Sequence, residues 1–100
     1  MIKHIVCWKI KDFAEEKSKT KNLQIMQQML KSLKNLPMVQ KLEVGIASTG
    51  IDSSNNDIAL VTEFKTIEDL KAYQVHPDHL KVSEFVSKIR NSRTCVDFEF

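Results

Sequence analysis

An α+β sandwich, with one antiparallel sheet carrying helices on one face in the order strand, helix, strand, strand, helix, strand, is what this sequence predicts. Three observations predict it. Apolar side chains alternate with period two in four separate segments. Stripes of helical period stand between the first and second of these segments and between the third and fourth. The second and third segments are joined instead by a cluster of turn-forming residues.

Residues 2–10 form the first expected strand, with Ile2, His4, Val6, Trp8 and Ile10 in one phase and Lys3, Ile5, Cys7 and Lys9 in the other. The charged stretch Lys11 to Lys21 is read as the start of a long amphipathic helix, which carries Leu23, Met26, Leu30 and Leu33 and ends at Pro37. Leu42, Val44 and Ile46 share one phase of a second strand. Ser48 to Asn56 holds Gly50, Asp52, Ser53, Ser54, Asn55 and Asn56, residues that tolerate left-handed angles or bond their own backbone, and reads as a long hairpin loop. Ile58, Leu60, Thr62 and Phe64 make the third strand. Thr66, with Asp69 three residues on, caps a short helix bearing Ile67, Leu70 and Tyr73. Pro77 suits the first position of the next helix, along which Val82, Phe85, Val86 and Ile89 recur. The last strand is expected from Thr94 to Phe100.

This order is that of a ferredoxin-like βαββαβ sandwich, taken as a single domain over residues 1–100. Helices on one face leave the other phase of the strands uncovered, and there Ile5, Cys7, Ala59 and Val61 are apolar. A second copy related by a two-fold axis is the expected cover. With 15 Lys+Arg against 13 Asp+Glu, the net charge of +2 is too small to point to nucleic acid. No apolar run reaches membrane-spanning length and no signal-peptide pattern opens the chain, so a cytoplasmic protein is expected, with no membrane partner. Cys7 and Cys95, far apart in sequence, are read as sharing the outward phase of the terminal strands and as reduced thiols.

Three polar residues fall on apolar stripes. His4 shares its phase with the core-facing residues of the first strand and needs a partner there, a backbone carbonyl being the simplest. His79 lies in the first turn of the last helix, where the positive end of the macrodipole disfavours imidazolium and a neutral ring can serve as a general base. Tyr73, the only tyrosine, precedes the His76-Pro77-Asp78-His79 turn and can reach His79 or a ligand carbonyl, or simply pack in the core. Together they define one candidate cavity between sheet and helices. No metal is expected, because His76 and His79 are separated by a proline, no Glu follows the first histidine, and a third and fourth ligand would have to come from His4 or a cysteine; no cofactor motif is present.

Lys3-His4-Ile5-Val6 and Tyr73-Gln74-Val75-His76-Pro77-Asp78-His79, with Phe64 to Leu70 and Asp97-Phe98, resemble the stress-responsive A/B barrel (Dabb) family over nearly the whole chain. The resemblance implies a ferredoxin-like protomer that pairs into a dimeric α/β barrel. In a plant polyketide cyclase of that family an aldol ring closure uses a histidine and a tyrosine matching His79 and Tyr73, with a pocket histidine matching His4. The expected function is therefore a homodimer whose small apolar pocket binds or transforms a small carbonyl compound through catalytic His79, Tyr73 and His4. The alternatives are a dimeric interaction module without catalysis and a protein like the cofactor-independent or haem-degrading monooxygenases.

Overall fold

A computed structural model describes all residues, Met1–Phe100. The strand β1 (Ile2–Ile10) alternates buried and half-buried residues along its whole length, as does β5 (Ile58–Phe64), because each lies inside a sheet with helices on one side only. With β4 (Lys41–Ile46) and β6 (Arg90–Glu99) they form one antiparallel sheet in the order β4-β5-β1-β6. That is the ferredoxin-like arrangement. The helices α1 (Lys19–Ser32), α2 (Ile67–Gln74) and α3 (Pro77–Ile89) supply the other layer.

The core lies between them. Ile2, Val6, Trp8, Ile58, Leu60 and Phe64 from the sheet meet Met26 and Leu30 of α1, Leu70 and Tyr73 of α2, and Val82, Val86 and Ile89 of α3. Leu33, in the single 3-10 turn that ends α1, and Leu36 before Pro37 close its edge.

Two element boundaries depart from the sequence reading. Lys11 to Lys21 is not a continuous start to α1: β2 (Phe13–Ala14) and β3 (Lys17–Ser18) form a two-residue-by-two hairpin, and α1 begins only at Lys19. Glu15 and Glu16 turn the chain in left-handed angles, with φ of 51° and 60°. Buried Asn22 ties the hairpin to α1, its Nδ2 donating to the Ala14 carbonyl at 3.0 Å, while Ser18 caps the helix through Lys21 N–H. The apolar stripe of α1 begins only near Leu23, and the one apolar contact residues 11–18 make with the core, through Ala14, is made from the hairpin. At the other end β6 starts at Arg90, directly after α3 rather than at Thr94, and its register against β1 shifts at Lys9/Ile10.

The β1–β6 register decides which β6 side chains meet the helices. Asp97 stands opposite His4, Cys95 opposite Val6 and Arg93 opposite Trp8. Directly opposed residues of an antiparallel pair point to the same face, so Arg93, Cys95 and Asp97 lie on the helix side. Val96 and Phe98, opposite Ile5 and Lys3, lie on the uncovered side. Cys7 is opposite Thr94 and faces away from Cys95. The expectation of a shared phase for the two cysteines is therefore corrected: a pairing offset of one residue places them on opposite faces of the sheet.

Candidate functional site

The turn between α2 and α3 is built by local backbone chemistry. His76 is the N-cap of α3, its Nδ1 accepting from Asp78 N–H at 3.1 Å, and Pro77 follows where a missing N–H costs nothing. His76 is thereby occupied as a cap. The cap sets the phase of α3 so that His79, half-buried, turns toward the sheet beside Tyr73, with ring centroids 4.6 Å apart. Tyr73, fully buried at the end of α2, also packs on Phe64 at 5.0 Å and meets His4 edge-on at 6.3 Å.

These three side chains line one cavity of about 110 Å³ between sheet and helices. Its apolar wall includes Val6, Trp8, Leu60 and Val86, and Arg90 and Arg93 bring positive charge to it from the start of β6. The volume is well below the ~300–1,000 Å³ of pockets that take drug-sized ligands. A ligand that fills this volume as it stands has a handful of heavy atoms.

Each polar group in the cavity has a defined state. His79 Nδ1 lies 3.1 Å from the Gln74 carbonyl, which can only accept, so Nδ1 carries the proton and Nε2 keeps its lone pair. Burial pulls His79 below its ordinary 6.5, with the His4 and Arg93 charges acting in the same direction and the Gln74 carbonyl opposing them. Its ring is neutral at pH 7. The Tyr73 hydroxyl is buried without a hydrogen-bond partner, and burial pushes its ionisation far above the ordinary 10.0, so it remains a donor. His4 is 2% exposed and pairs through Nδ1 with the Asp97 carboxylate across the β1–β6 ladder.

The sequence thus places His4, Tyr73 and His79 where the fold brings them together. The simple partner expected for His4, a backbone carbonyl, is replaced by Asp97. Arg90, Arg93 and Asp97 escaped the sequence reading because their position depends on the β1–β6 register. The signal available was the period-two spacing of Arg93, Cys95 and Asp97, opposite in phase to Val96 and Phe98.

The depressed His79 pKa has a consequence for stability. Between its folded value and the 6.5 of the unfolded chain, the unfolded state binds more protons, so stability rises with pH. The contribution is whole above 6.5 and is lost as pH falls through the folded value. In urea unfolding followed across this range, His79→Gln should flatten the acid limb; a slope equal to that of the wild type would contradict the assignment.

Comparison with known proteins is consistent across sequence and structure. The family model described as the Stress Responsive A/B Barrel Domain (Dabb) matches residues 2–100. The stress-response A/B barrel domain-containing protein DABB1 of Arabidopsis thaliana is 29% identical over 100 residues, covering 98% of this chain and 46% of that protein. The chain therefore spans about half the length of this curated relative. A dimeric protein of unknown function with a ferredoxin-like fold from Bacteroides fragilis superposes with a TM-score of 0.81 at 29% identity, covering 99% of this chain and 95% of that one. A dimeric ferredoxin-like protein of unknown function from Thermobifida fusca gives 0.84 at 24% identity, over 99% of this chain and 90% of that one. No helix is long and apolar enough to cross a membrane. A match over 99 of the 100 residues, on the fold those relatives share, makes this chain a member of the stress-responsive A/B barrel (Dabb) family.

Proposed function

We propose that the protein is a cytoplasmic homodimer, paired through the uncovered sheet face, in which each protomer binds a small carbonyl acid and moves a proton at the carbon beside the carbonyl. The observation that carries the chemical half is the cavity itself. A neutral imidazole with a free Nε2, a buried phenol with no partner and two arginines surround one small volume.

The roles follow from these states. Arg90 and Arg93 hold the carboxylate of the ligand, which restricts the class to small keto acids. His79 Nε2 takes the α-proton, the electron pair moves onto the carbonyl oxygen, and the Tyr73 hydroxyl donates to the enolate oxygen. His4, fixed by Asp97, orients the ligand. Return of the proton from His79 completes an exchange; attack of the enolate carbon on a second carbonyl carbon, whose oxygen takes the proton held by His79, completes an aldol addition.

The direct test uses small α- and β-keto acids, pyruvate and acetoacetate first, in D₂O with the protein, following α-proton loss by NMR. Exchange faster than in buffer alone, suppressed by an excess of the saturated acid, is expected. Exchange no faster than in buffer for any of the pool would overturn the chemical half and leave a binding or interaction module.

The dimer rests on the uncovered face and on the dimeric state of the two solved relatives. Ile5, Cys7, Ala59 and Val61 are half-buried there, and Val96 and Phe98 are 53% and 42% exposed. This is a contiguous apolar surface across the three strands β5, β1 and β6. Ile5→Glu places a charge at its centre between Val61 and Val96. In light scattering the wild type should run as a dimer and Ile5→Glu as a folded monomer; a dimer in both, or a monomeric wild type, contradicts the pairing.

A further inference from the structure

The register that puts Asp97 opposite His4 puts Cys95 on the same face, two residues before it. Cys95 Sγ lies 3.6 Å from His4 Nδ1 and 3.6 Å from Asp97 Oδ1, and Nδ1 and Oδ1 are themselves paired. Three potential ligand atoms, one each of nitrogen, sulfur and oxygen, thus lie within 4.8 Å of one another. His4 lies 91 and 93 residues from Cys95 and Asp97, so no local spacing motif joins the three.

We propose that His4 Nδ1, Cys95 Sγ and Asp97 Oδ1 form a three-ligand site for Zn²⁺, with the fourth position open to solvent or to a ligand. This goes beyond the keto-acid reading, with which it shares His4 and Asp97, and its test reads the metal rather than the exchange.

The geometry is the first argument. An ion about 2.3 Å from sulfur and about 2.0 Å from nitrogen and oxygen in a tetrahedron has S···N and S···O edges of about 3.5 Å. Both sulfur separations here are 3.6 Å, while Nδ1 and Oδ1, now hydrogen-bonded to each other, must open to the ~3.3 Å edge of the same tetrahedron to admit the ion. The donor set is the second. Thiolate with imidazole selects a borderline ion and disfavours Mg²⁺ and Ca²⁺, which need hard oxygen ligands throughout. Charge is the third. A thiolate and a carboxylate together neutralise a dication. Access is the fourth. His4 is 2% exposed, whereas the Asp97 side chain is 42% exposed on the edge strand β6, so the ion reaches a buried nitrogen from an open side. The cluster faces the helix side, opposite the surface assigned to pairing.

Loading also changes the cavity. The Asp97 carboxylate can only accept, so in the hydrogen-bonded form His4 Nδ1 carries a proton toward it. Zinc on Nδ1 displaces that proton, and the neutral ring then carries its hydrogen on Nε2.

The test is titration of the chelator-treated protein with Co²⁺ followed by absorbance, and with Zn²⁺ in competition against a chromophoric chelator. One ion per chain is expected, with a thiolate-to-cobalt charge-transfer band and visible bands of tetrahedral strength. Cys95→Ser should lose the charge-transfer band, and Cys95→Ser and Asp97→Asn should each weaken Zn²⁺ by at least the ~10-fold that even an outer partner costs. Cys7→Ser should change neither. Because both altered side chains lie on an exposed edge strand, circular dichroism should show folded variants. Absence of the band in the wild type, or retention of the band and full affinity in Cys95→Ser, overturns the site whatever the outcome with keto acids. A nitrogen-15 spectrum of His4 that keeps its proton on Nδ1 with one equivalent of Zn²⁺ would do the same.

Discussion

His79→Ala should lower the rate of α-proton exchange into a small keto acid by ~100-fold or more, the lower end of what a positioned general base contributes. The reason is specific to this ring. Its Nδ1 proton is committed to the Gln74 carbonyl, so Nε2 is the only basic position. Burial keeps the ring neutral, so the base needs no deprotonation before it can act. Tyr73→Phe, which removes one buried oxygen and leaves the ring packing on Phe64, should cost a comparable ~100-fold by removing the donor to the enolate oxygen. The same change should leave the fold at least as stable, since that hydroxyl now lies buried with no partner. Rates within a factor of two of wild type in both variants would remove the two residues from the chemistry. A loss of stability without a loss of exchange in His79→Ala would favour the interaction-module reading.

The second large effect is on folding. Phe64→Ala should destabilise the protein by ~3–5 kcal/mol in urea unfolding, the range for deleting a fully buried aromatic ring. Only 19 of the 100 residues are buried, so few neighbours can collapse into the space. Phe64 sits at the end of β5, 0% exposed, and its ring is the support on which Tyr73 lies at 5.0 Å. Its removal therefore loosens the tyrosine as well as the core, and exchange should fall along with stability. A cost below about 1 kcal/mol would mean that α2 is not anchored through this contact.

Strand phase was legible because period-two alternation is a local property: β1 and β5 show it without interruption, and the phase of His4 follows from it. The same is true of the α2–α3 corner, where Thr66, His76 and Pro77 act on backbone groups two or three residues away. The hairpin at 13–18 was not legible. Its charged residues suit a solvated helix as well as a solvated turn, and what decides is Asn22 reaching back to Ala14 together with left-handed Glu15 and Glu16. Charge pattern carries no information about that contact. The cysteines teach the same lesson at longer range. Alternation tells which β6 residues share a face but not which face, and only pairing with β1 places Arg93, Cys95 and Asp97 toward the helices. Half of the candidate site is of that kind. His4, Tyr73 and His79 are set by stripes within single elements, whereas Asp97 and the arginines arrive through register between the first and last strands.

The account rests most directly on a neutral, ligand-accessible His79, and an NMR titration of the three histidines tests it, with His79→Ala and His4→Ala assigning the signals. The spectra are taken with and without pyruvate and acetoacetate. His79 should titrate below 6.5, and its signal should move on adding a keto acid. A His79 that titrates at its ordinary value, with a signal unmoved by either compound, would contradict it.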